Sequence, residues 1–410
     1  MQSGGADPAA PRSSSQWEMS CREMKQNPRP FILIPVVAAC VGYITNWVGV
    51  KMLFYPVRWV GIPIVRIPGQ PFGWLGWQGI VVAKRFKMAH KMVDVTISQL
   101  LDVTEVFGRL DPVQLASLVE PTVRSTVLGG WSPSFLNRFF LGRACKIVIK
   151  HAERVVDIRH LVVSGLTEQA STLSNFFQAV AEKELSFLIN SGFTVGFFLG
   201  ILQMIQWMLF PAQWTLPVGG AIVGYITNWI ALKWIFQPLE PTRIGPFVLQ
   251  GMFLKRQKEV AEDFSKYIAE RVLCSKRVWA DVLDGTTTDI FTSILASKVP
   301  LPSSQINKAV SRLRDTVGNL AVSALHPLHA YCDVTLGVRA TLEAKMKAMS
   351  SYEFEQVLHP IFQEDELTLI LAGAGLGAAA GGLQIVFNKY MDRRRERRHE
   401  RKLAETPLST

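Results

Sequence analysis

Three long stretches of the chain contain no charged residue. They run from Pro30 to Val50, from Leu185 to Leu232 and from Leu367 to Asn388. A helix of about 20 apolar residues crosses a bilayer core of about 30 Å, so each stretch is long enough to form a membrane-spanning helix. The middle stretch is long enough for two such helices, and Pro211 and Pro217 near its centre mark the turn of a hairpin between them.

This polarity pattern predicts an all-α, polytopic membrane protein with about four transmembrane helices. The predicted spans lie near residues 31–53, 188–210, 216–236 and 367–388. The alternative is a large soluble protein with buried helices, because apolar runs alone do not separate the two classes. Soluble helices rarely continue for about 20 residues without a charge, which favours the membrane protein.

The segments between the spans have the pattern of amphipathic helices. Val260, Phe264, Ile268 and Val272 recur every four residues, which places them on one face of a helix. Strand-like alternation is scarce, and pairs of Pro and Gly residues mark turns between helices. The pattern predicts two helical extramembrane domains. Their apolar stripes are more often used for mutual packing than as a lipid-binding face.

One sequence motif occurs twice. The residues Gly-Tyr-Ile-Thr-Asn-Trp at 42–47 recur at 224–229, an offset of 182 residues. Near the ends of two charge-free stretches, four glycines match at an offset of 181 residues, namely Gly196 and Gly200 with Gly377 and Gly381. Self-similarity at a fixed period indicates a duplicated structural unit, here of about 180 residues.

The duplication predicts the domain organisation. Residues 31–212 form a first repeat and residues 213–388 a second, each with a membrane helix, a helical domain and another membrane helix. Residues 1–30, with their Pro, Ser and Gly content, predict a disordered arm, and residues 389–410 form a basic C-terminal tail. Because each unit crosses the membrane an even number of times, the repeats are parallel about a pseudo-two-fold axis along the membrane normal. Both helical domains then share one side of the membrane.

The net charge of +11 is not spread evenly, and the densest group of basic residues follows the last span. The cationic residues there are Lys389, Arg393, Arg394, Arg395, Arg397, Arg398, Arg401 and Lys402. A basic cluster beside a membrane helix favours the cytosolic side of the membrane and binds anionic lipid headgroups. We therefore expect an integral, multi-pass membrane protein with a cytosolic C-terminal tail. The host membrane is left open. Membrane lipids are the expected partners, a homo-oligomer is left open, and nucleic acid is not expected because the cluster lacks interleaved aromatic residues.

Polar residues inside the predicted spans are the first candidate site. Thr45 with Asn46, and Thr227 with Asn228, lie in otherwise apolar helices. A polar side chain in lipid needs a partner, and an interhelical hydrogen bond is the expected one. The alternative is a substrate or ion site near the pseudo-two-fold axis, formed by both copies.

Two further groups of residues are expected to contact the membrane or other helices. The interfacial or headgroup-binding candidates are Lys51, Lys233, Gln78, Gln250, Lys255 and Arg256. Small residues let helix backbones approach closely, so Gly196 and Gly200 are expected to pack against Gly377 and Gly381. The sequence contains no HExxH, CxxC or nucleophile-elbow motif, so no catalytic residue, metal site or cofactor is expected, and the protein is not expected to be an enzyme.

The repeated motif and the C-terminal sequence resemble a known family. The GYITNW-x4-K motif, the Gln-Gly turn followed by Lys255 and Arg256, and the stretch from Phe354 to Gln384 are similar to the membrane family called domain of unknown function 445. The resemblance covers residues from about 30 to about 390, with two copies in tandem. It implies a helical membrane protein and brings no established reaction or ligand.

These observations predict a non-enzymatic membrane scaffold or lipid-interacting protein. The alternative is a small-solute transporter or channel that uses the four-helix membrane core. Coupled transport normally needs an ionisable residue at mid-membrane depth, and none of the four predicted spans contains one there, which disfavours the alternative.

Overall fold

A computed structural model describes residues 29–62, 69–73, 76–94, 98–126, 134–210, 212–299, 302–319, 326–356 and 366–405. The predicted disordered arm, residues 1–30, lies outside the described residues except for its last two, which begin the first helix. The chain divides into two compact units. The first comprises residues 1–55, 182–252 and 362–410, and the second comprises residues 56–181 and 253–361.

The described chain is helical apart from two small sheets. In chain order the helices are α1 (Arg29–Phe54), α2 (Ile80–Ala83), α3 (Arg85–Met92), α4 (Ser98–Leu100), α5 (Val103–Phe107), α6 (Pro112–Thr126), α7 (Ser134–Lys150), α8 (Ala152–Val155), α9 (Ile158–Thr167), α10 (Thr172–Val180), α11 (Glu182–Leu209), α12 (Thr215–Phe236), α13 (Met252–Lys255), α14 (Gln257–Tyr267), a π-helix (Ile268–Val272), α15 (Ser275–Asp284), α16 (Thr288–Lys298), α17 (Ser303–Asn319), α18 (His326–Leu336), α19 (Val338–Ala348) and α20 (Glu366–Glu405). The strands are β1 (Val60–Gly61), β2 (Phe72–Gly73), β3 (Gly76–Trp77), β4 (Thr242–Ile244) and β5 (Phe247–Leu249). They form an antiparallel sheet of order β1-β3-β2 and an antiparallel β4-β5 hairpin, which turns at Gly245 with φ of 61°.

Four helices of the first unit, α1, α11, α12 and α20, are long and apolar enough to cross a membrane. We call them the core helices. They coincide with the four stretches predicted from the sequence. The last one differs in length, since α20 continues for 40 residues and includes most of the segment predicted as a separate basic tail. At a rise of 1.5 Å per residue, the part of α20 after Asn388 extends by roughly 25 Å.

The core helices pack as two close pairs, α1 with α11 and α12 with α20. Glycine allows the two backbones of each pair to approach closely. A Cβ added to Gly42 would overlap the carbonyl oxygen of Gly192, and one added to Gly224 would overlap that of Gly373. Such backbone contact is typical of membrane helices, which have little hydrophobic driving force between them. Fewer contacts join the two pairs.

The predicted pairing of the four matched glycines with one another is wrong. Gly196 and Gly200 face Ala38 and Pro35 of α1, whereas Gly377 faces Gly220 of α12 and Gly381 faces Leu216 of the same helix. Each glycine-rich helix therefore packs on the helix that carries the GYITNW motif of its own copy. A stripe of small residues indicates close approach, but it does not specify which of several small-residue faces it meets.

The second unit contains most of both long segments that connect the predicted spans. The sequence predicted two helical domains, and this prediction is wrong in number, because the two segments share one core. The ring of Phe176 on α10 lies 5.6 Å from that of Phe264 and 5.0 Å from that of Tyr267, both on α14. The Tyr267 hydroxyl donates to the carbonyl oxygen of Thr172 at 3.2 Å. The amphipathic helices of each segment therefore bury their apolar faces against those of the other.

Candidate functional site

The two asparagines of the repeated motif make the same kind of interhelical hydrogen bond. Asn46 Nδ2 on α1 donates to the carbonyl oxygen of Leu188 on α11 at 2.7 Å. Asn228 Nδ2 on α12 donates to the carbonyl oxygen of Leu369 on α20 at 2.8 Å. Both asparagines are buried, so each bond satisfies an amide that would otherwise lie unpaired among apolar helices.

The threonines beside them bond within their own helices. Thr45 Oγ1 donates to the Gly42 carbonyl oxygen at 3.0 Å, and Thr227 Oγ1 donates to that of Gly224 at 3.2 Å. Both hydroxyls are buried and satisfied without a partner from another helix. Of these four polar residues in the two motif copies, only the asparagines donate a hydrogen bond to another helix.

Asn46 and Asn228 differ in the groups that surround their side chains. Asn46 Oδ1 is buried without a hydrogen-bond partner in the described chain. Asn228 lies against α1, where a Cβ added to Gly49 would contact its Nδ2 at 3.9 Å. Asn46 packs on α11, because a Cβ added to Gly192 of that helix would lie 2.7 Å from its Nδ2.

A narrow cavity of about 20 Å³ lies among all four core helices. Four pairs of residues that match between the two copies line it, namely Ile34 with Leu216, Ala38 with Gly220, Val41 with Val223, and Gln203 with Gln384. A cavity of this size holds about one water molecule, and the two glutamine amides supply polar groups to bind it. An added Cβ on Gly219 would lie 2.9 Å from Gln203 Nε2, so this amide packs directly on α12.

Large apolar side chains cover the outward face of the core helices and are exposed. In each core helix, only between 28% and 44% of the apolar 18-residue stretch is buried. Phe198 is 63% exposed and Leu383 is 71% exposed, values unusual for such residues in a soluble domain. In the two motif copies, Trp47 and Trp229 are each 45% exposed.

The six residues predicted to contact the interface differ in their roles. Lys51 and Lys233 are exposed near the ends of their helices. The Lys51 ammonium lies 5.4 Å from the ring centre of Tyr55, which directly follows α1, and the Lys233 ammonium lies 6.0 Å from that of Trp229 in α12. Lys233 Nζ also donates to Gln237 Oε1 at 3.5 Å, and both ammonium groups are accessible to solvent.

The amide and guanidinium groups among these six are used inside the chain. Gln78 Nε2 donates to the carbonyl oxygen of Val57 at 2.9 Å, and Gln250 Nε2 donates to that of Leu239 at 3.5 Å. Arg256 pairs with Glu259 at 2.9 Å, whereas Lys255 is exposed. The two glutamines thus close loops, and of these six only the lysines present exposed donors.

The second unit contains a serine–histidine contact that sequence reasoning missed. Ser275 Oγ lies 2.9 Å from His329 Nδ1, and the backbone N–H of Ser275 donates to Asp333 Oδ1 at 2.7 Å. Ser275 is fully buried, so no substrate carbonyl can approach its oxygen. The contact instead ties the first turn of α15 to α18. No sequence signal identifies it, because the residues are more than 50 positions apart.

Burial controls the ionisation of the groups around this contact. It lowers the pKa of His329, although the neighbouring Asp333 opposes that effect. Burial also raises the pKa of the Cys332 thiol, and it raises the pKa of Cys145 to about 12, with a smaller contribution from Cys332. In the described part of the chain, no group of three or more His, Cys, Asp or Glu residues is placed to hold a metal ion.

A cleft of about 600 Å³ lies between α14 and the α18–α19 turn. Four carboxylates line it, those of Glu262, Glu270, Asp333 and Glu343, together with Arg339. Arg339 pairs with Glu262 at 3.5 Å and with Glu343 at 4.0 Å, so part of the acidic charge is neutralised. The cleft is open and its charged groups are largely solvated.

A cationic helix face in the second unit was also missed from the sequence. Phe139, Arg143, Lys146 and Lys150 of α7 are all exposed and follow spacings of four, three and four residues. The signal that could have identified them is a 17-residue helix with no acidic residue.

No family model, curated protein or solved structure matches this chain.

Proposed function

We propose that the protein is an integral membrane scaffold whose four core helices cross the bilayer and hold the second unit at the membrane. The exposed apolar face of the core helices carries this proposal. A soluble protein would leave side chains such as Phe198 and Leu383 in water, at a cost of about 2 kcal/mol each relative to burial. In a bilayer the same faces contact lipid tails.

The proposal includes a tandem parallel repeat. It is supported by the sequence match between the two copies, by the equivalent bonds of Asn46 and Asn228, and by the matched pairs that line the narrow cavity. The resemblance to the domain of unknown function 445 family points the same way. Four crossings place both chain ends on one side of the membrane, and the basic residues after Asn388 favour the cytosol for that side.

The proposed role is non-enzymatic, with membrane lipids as partners. Its support is the character of the polar groups in the core: the amides of Asn46 and Asn228 bond helix to helix, and the threonine hydroxyls bond within their own helices. These groups stabilise an assembly. The buried Ser275 likewise connects two helices.

A pair of aspartate substitutions tests membrane insertion. Phe198 in α11 is 63% exposed and Val113 in α6 is 72% exposed, so a wholly soluble protein would tolerate Phe198→Asp and Val113→Asp about equally. If α11 faces lipid, Phe198→Asp costs about 3 kcal/mol of insertion free energy. The expected result is that alkaline carbonate extraction leaves the unaltered protein in the membrane pellet, and that the Phe198→Asp protein accumulates in the membrane fraction to a much lower level than the Val113→Asp protein. Release of the unaltered protein would overturn the proposal.

A channel is the second candidate function, and the narrow cavity favours it. Gln203 and Gln384 place two amides among the four core helices, and these could conduct water or a small neutral solute if the cavity opened. Osmotic swelling of proteoliposomes tests this role against the Gln203→Leu, Gln384→Leu double variant. Equal swelling rates for the unaltered and double-variant proteins would exclude conduction through this cavity.

A further inference from the structure

We propose that the outward face of α7 docks on the surface of an anionic phospholipid bilayer. This basic face consists of Phe139, Arg143, Lys146 and Lys150. The inference rests on the proposed membrane function and adds to it the part of the second unit that binds lipid.

The geometry of α7 separates two faces. At 100° per residue, the four residues of the basic face fall within an arc of about 60°. All four are exposed, and Phe139 is 66% exposed. Asn137 and Val148, on the opposite side of the helix, are buried. The helix therefore packs on its unit through one face and presents the other to solvent.

The charge of the basic face is not compensated. The sequence of α7 has four basic residues and no acidic one. Within the described residues, Arg143, Lys146 and Lys150 form no ion pair with a carboxylate. Other cations of the same unit are paired, as Arg109 is with Glu105 and Arg339 with Glu262. The basic face is thus a concentrated, accessible positive charge.

A bilayer surface fits this face better than RNA does. A large exposed aromatic ring next to cations is the combination that enters the headgroup region, with the ring among acyl chains and the ammonium groups at phosphates. Single-stranded RNA instead favours several aromatic rings on which bases stack. The core helices also keep the chain at a membrane, which raises the effective concentration of lipid around the second unit.

The second segment of the same unit provides an internal comparison. Its helix α17 carries Asp315 among its basic residues, and Arg312 and Arg314 interact with other groups of the chain. Three exposed lysines of this segment lie on three different helices, Lys258 on α14, Lys298 on α16 and Lys308 on α17. They provide a control set with the same charge as the basic face.

The experiment uses the full chain reconstituted in lipid nanodiscs. Two variants are compared, one with Arg143, Lys146 and Lys150 changed to Gln and a control with Lys258, Lys298 and Lys308 changed to Gln. One arm measures amide hydrogen exchange of residues 134–150 in discs of phosphatidylcholine with or without phosphatidylglycerol. The other measures capture of phosphatidylglycerol vesicles by immobilised phosphatidylcholine discs.

The proposal expects slower exchange in the anionic discs, capture of the anionic vesicles, or both. Each cation near an anionic surface contributes about five-fold to binding at low salt, so the basic-face variant is expected to bind roughly 100-fold more weakly while the control variant is unchanged. Phe139→Ser is expected to weaken binding by about ten-fold.

Three results would overturn the proposal: no effect in either arm, an equal loss in the control variant, or basic-face-dependent binding of single-stranded RNA without vesicle binding. Thermal unfolding of each variant verifies that it is folded. Failure of the unaltered chain to enter nanodiscs would instead count against the proposed membrane function, so the two failures are distinguishable.

Discussion

Asn46 Nδ2 donates a 2.7 Å hydrogen bond to the backbone carbonyl oxygen of Leu188, which joins two apolar helices that are far apart in sequence. The acceptor is a main-chain oxygen that already belongs to a helix. The bond therefore needs no polar side chain on α11. Asn228 and Leu369 repeat the arrangement between α12 and α20.

The first prediction concerns these two bonds. Asn46→Ala and Asn228→Ala are each expected to lower the free energy of unfolding in detergent by about 1 kcal/mol, because an interhelical hydrogen bond among membrane helices contributes about that much. The two effects should add, since the bonds share no residue. Thermal unfolding in a mild detergent measures them. Ile44→Ala, at an exposed position of α1, is the control, and an equal loss in that variant would contradict the assignment.

A second prediction concerns glycine packing in α20. A Cβ on Gly377 would overlap the Gly220 carbonyl oxygen, whereas a Cβ on Gly375 would meet nothing within 4 Å. Gly377→Ala is therefore expected to cost about 2 kcal/mol of unfolding free energy through overpacking. Gly375→Ala is expected to be neutral or slightly stabilising, since Ala is the better helix former. Thermal unfolding of both variants tests the pairing of α12 with α20, and equal midpoints would contradict it.

The third prediction is a pH dependence that arises from His329. Burial lowers its pKa in the folded state, so below the ordinary histidine pKa of about 6.5 the unfolded chain binds more protons than the folded one. The contribution of this group to stability is therefore lost as the pH falls through that range. His329→Gln keeps a hydrogen-bonding group beside Ser275 and removes the titration. Its unfolding midpoint should fall less between pH 7 and pH 5.5, about one unit below the ordinary pKa, than that of the unaltered protein; a parallel fall would contradict the prediction.

A fourth prediction concerns the reactivity of Cys145. With a pKa of about 12, this thiol has almost no thiolate at neutral pH. The test uses a variant in which Cys145 is the only cysteine. This thiol is expected to react with maleimide far more slowly than the amino acid cysteine in solution. The rate should rise about ten-fold for each pH unit between pH 8 and pH 10, well below this pKa. Rapid labelling at pH 7, about 1.5 units below the pKa of an ordinary thiol, would contradict the burial of this side chain.

The sequence was sufficient to predict the helical class and the four apolar helices. This is because a charge-free run of about 20 residues has few other structural solutions. The interhelical role of Asn46 also follows from elementary physical chemistry, since a buried amide requires a partner. The acceptor could not be predicted, because any backbone carbonyl of a neighbouring helix has the same chemistry.

Tertiary arrangements were less predictable. Gly377 has the same local sequence character whether it faces Gly196 or Gly220, so only the packing of complete helices decides between them. The shared core of the second unit was missed for the same reason, because an apolar stripe such as that containing Phe264 does not identify the helix it packs against. The contact between Ser275 and His329 depends on two helices meeting, and no local spacing indicates it.

We propose that the two copies of the Gly-Tyr-Ile-Thr-Asn-Trp motif are equivalent ends of lipid-embedded helices. Tyr43 and Tyr225 are both exposed on those helices, so a nitroxide attached in place of either can report its depth. The most direct test compares the two positions in reconstituted bilayers by spin-label accessibility to oxygen and to a water-soluble nickel complex. High oxygen accessibility, low nickel accessibility and matching depths are expected at both positions. High nickel accessibility at either one, or clearly different depths, would contradict the equivalence of the two motif copies.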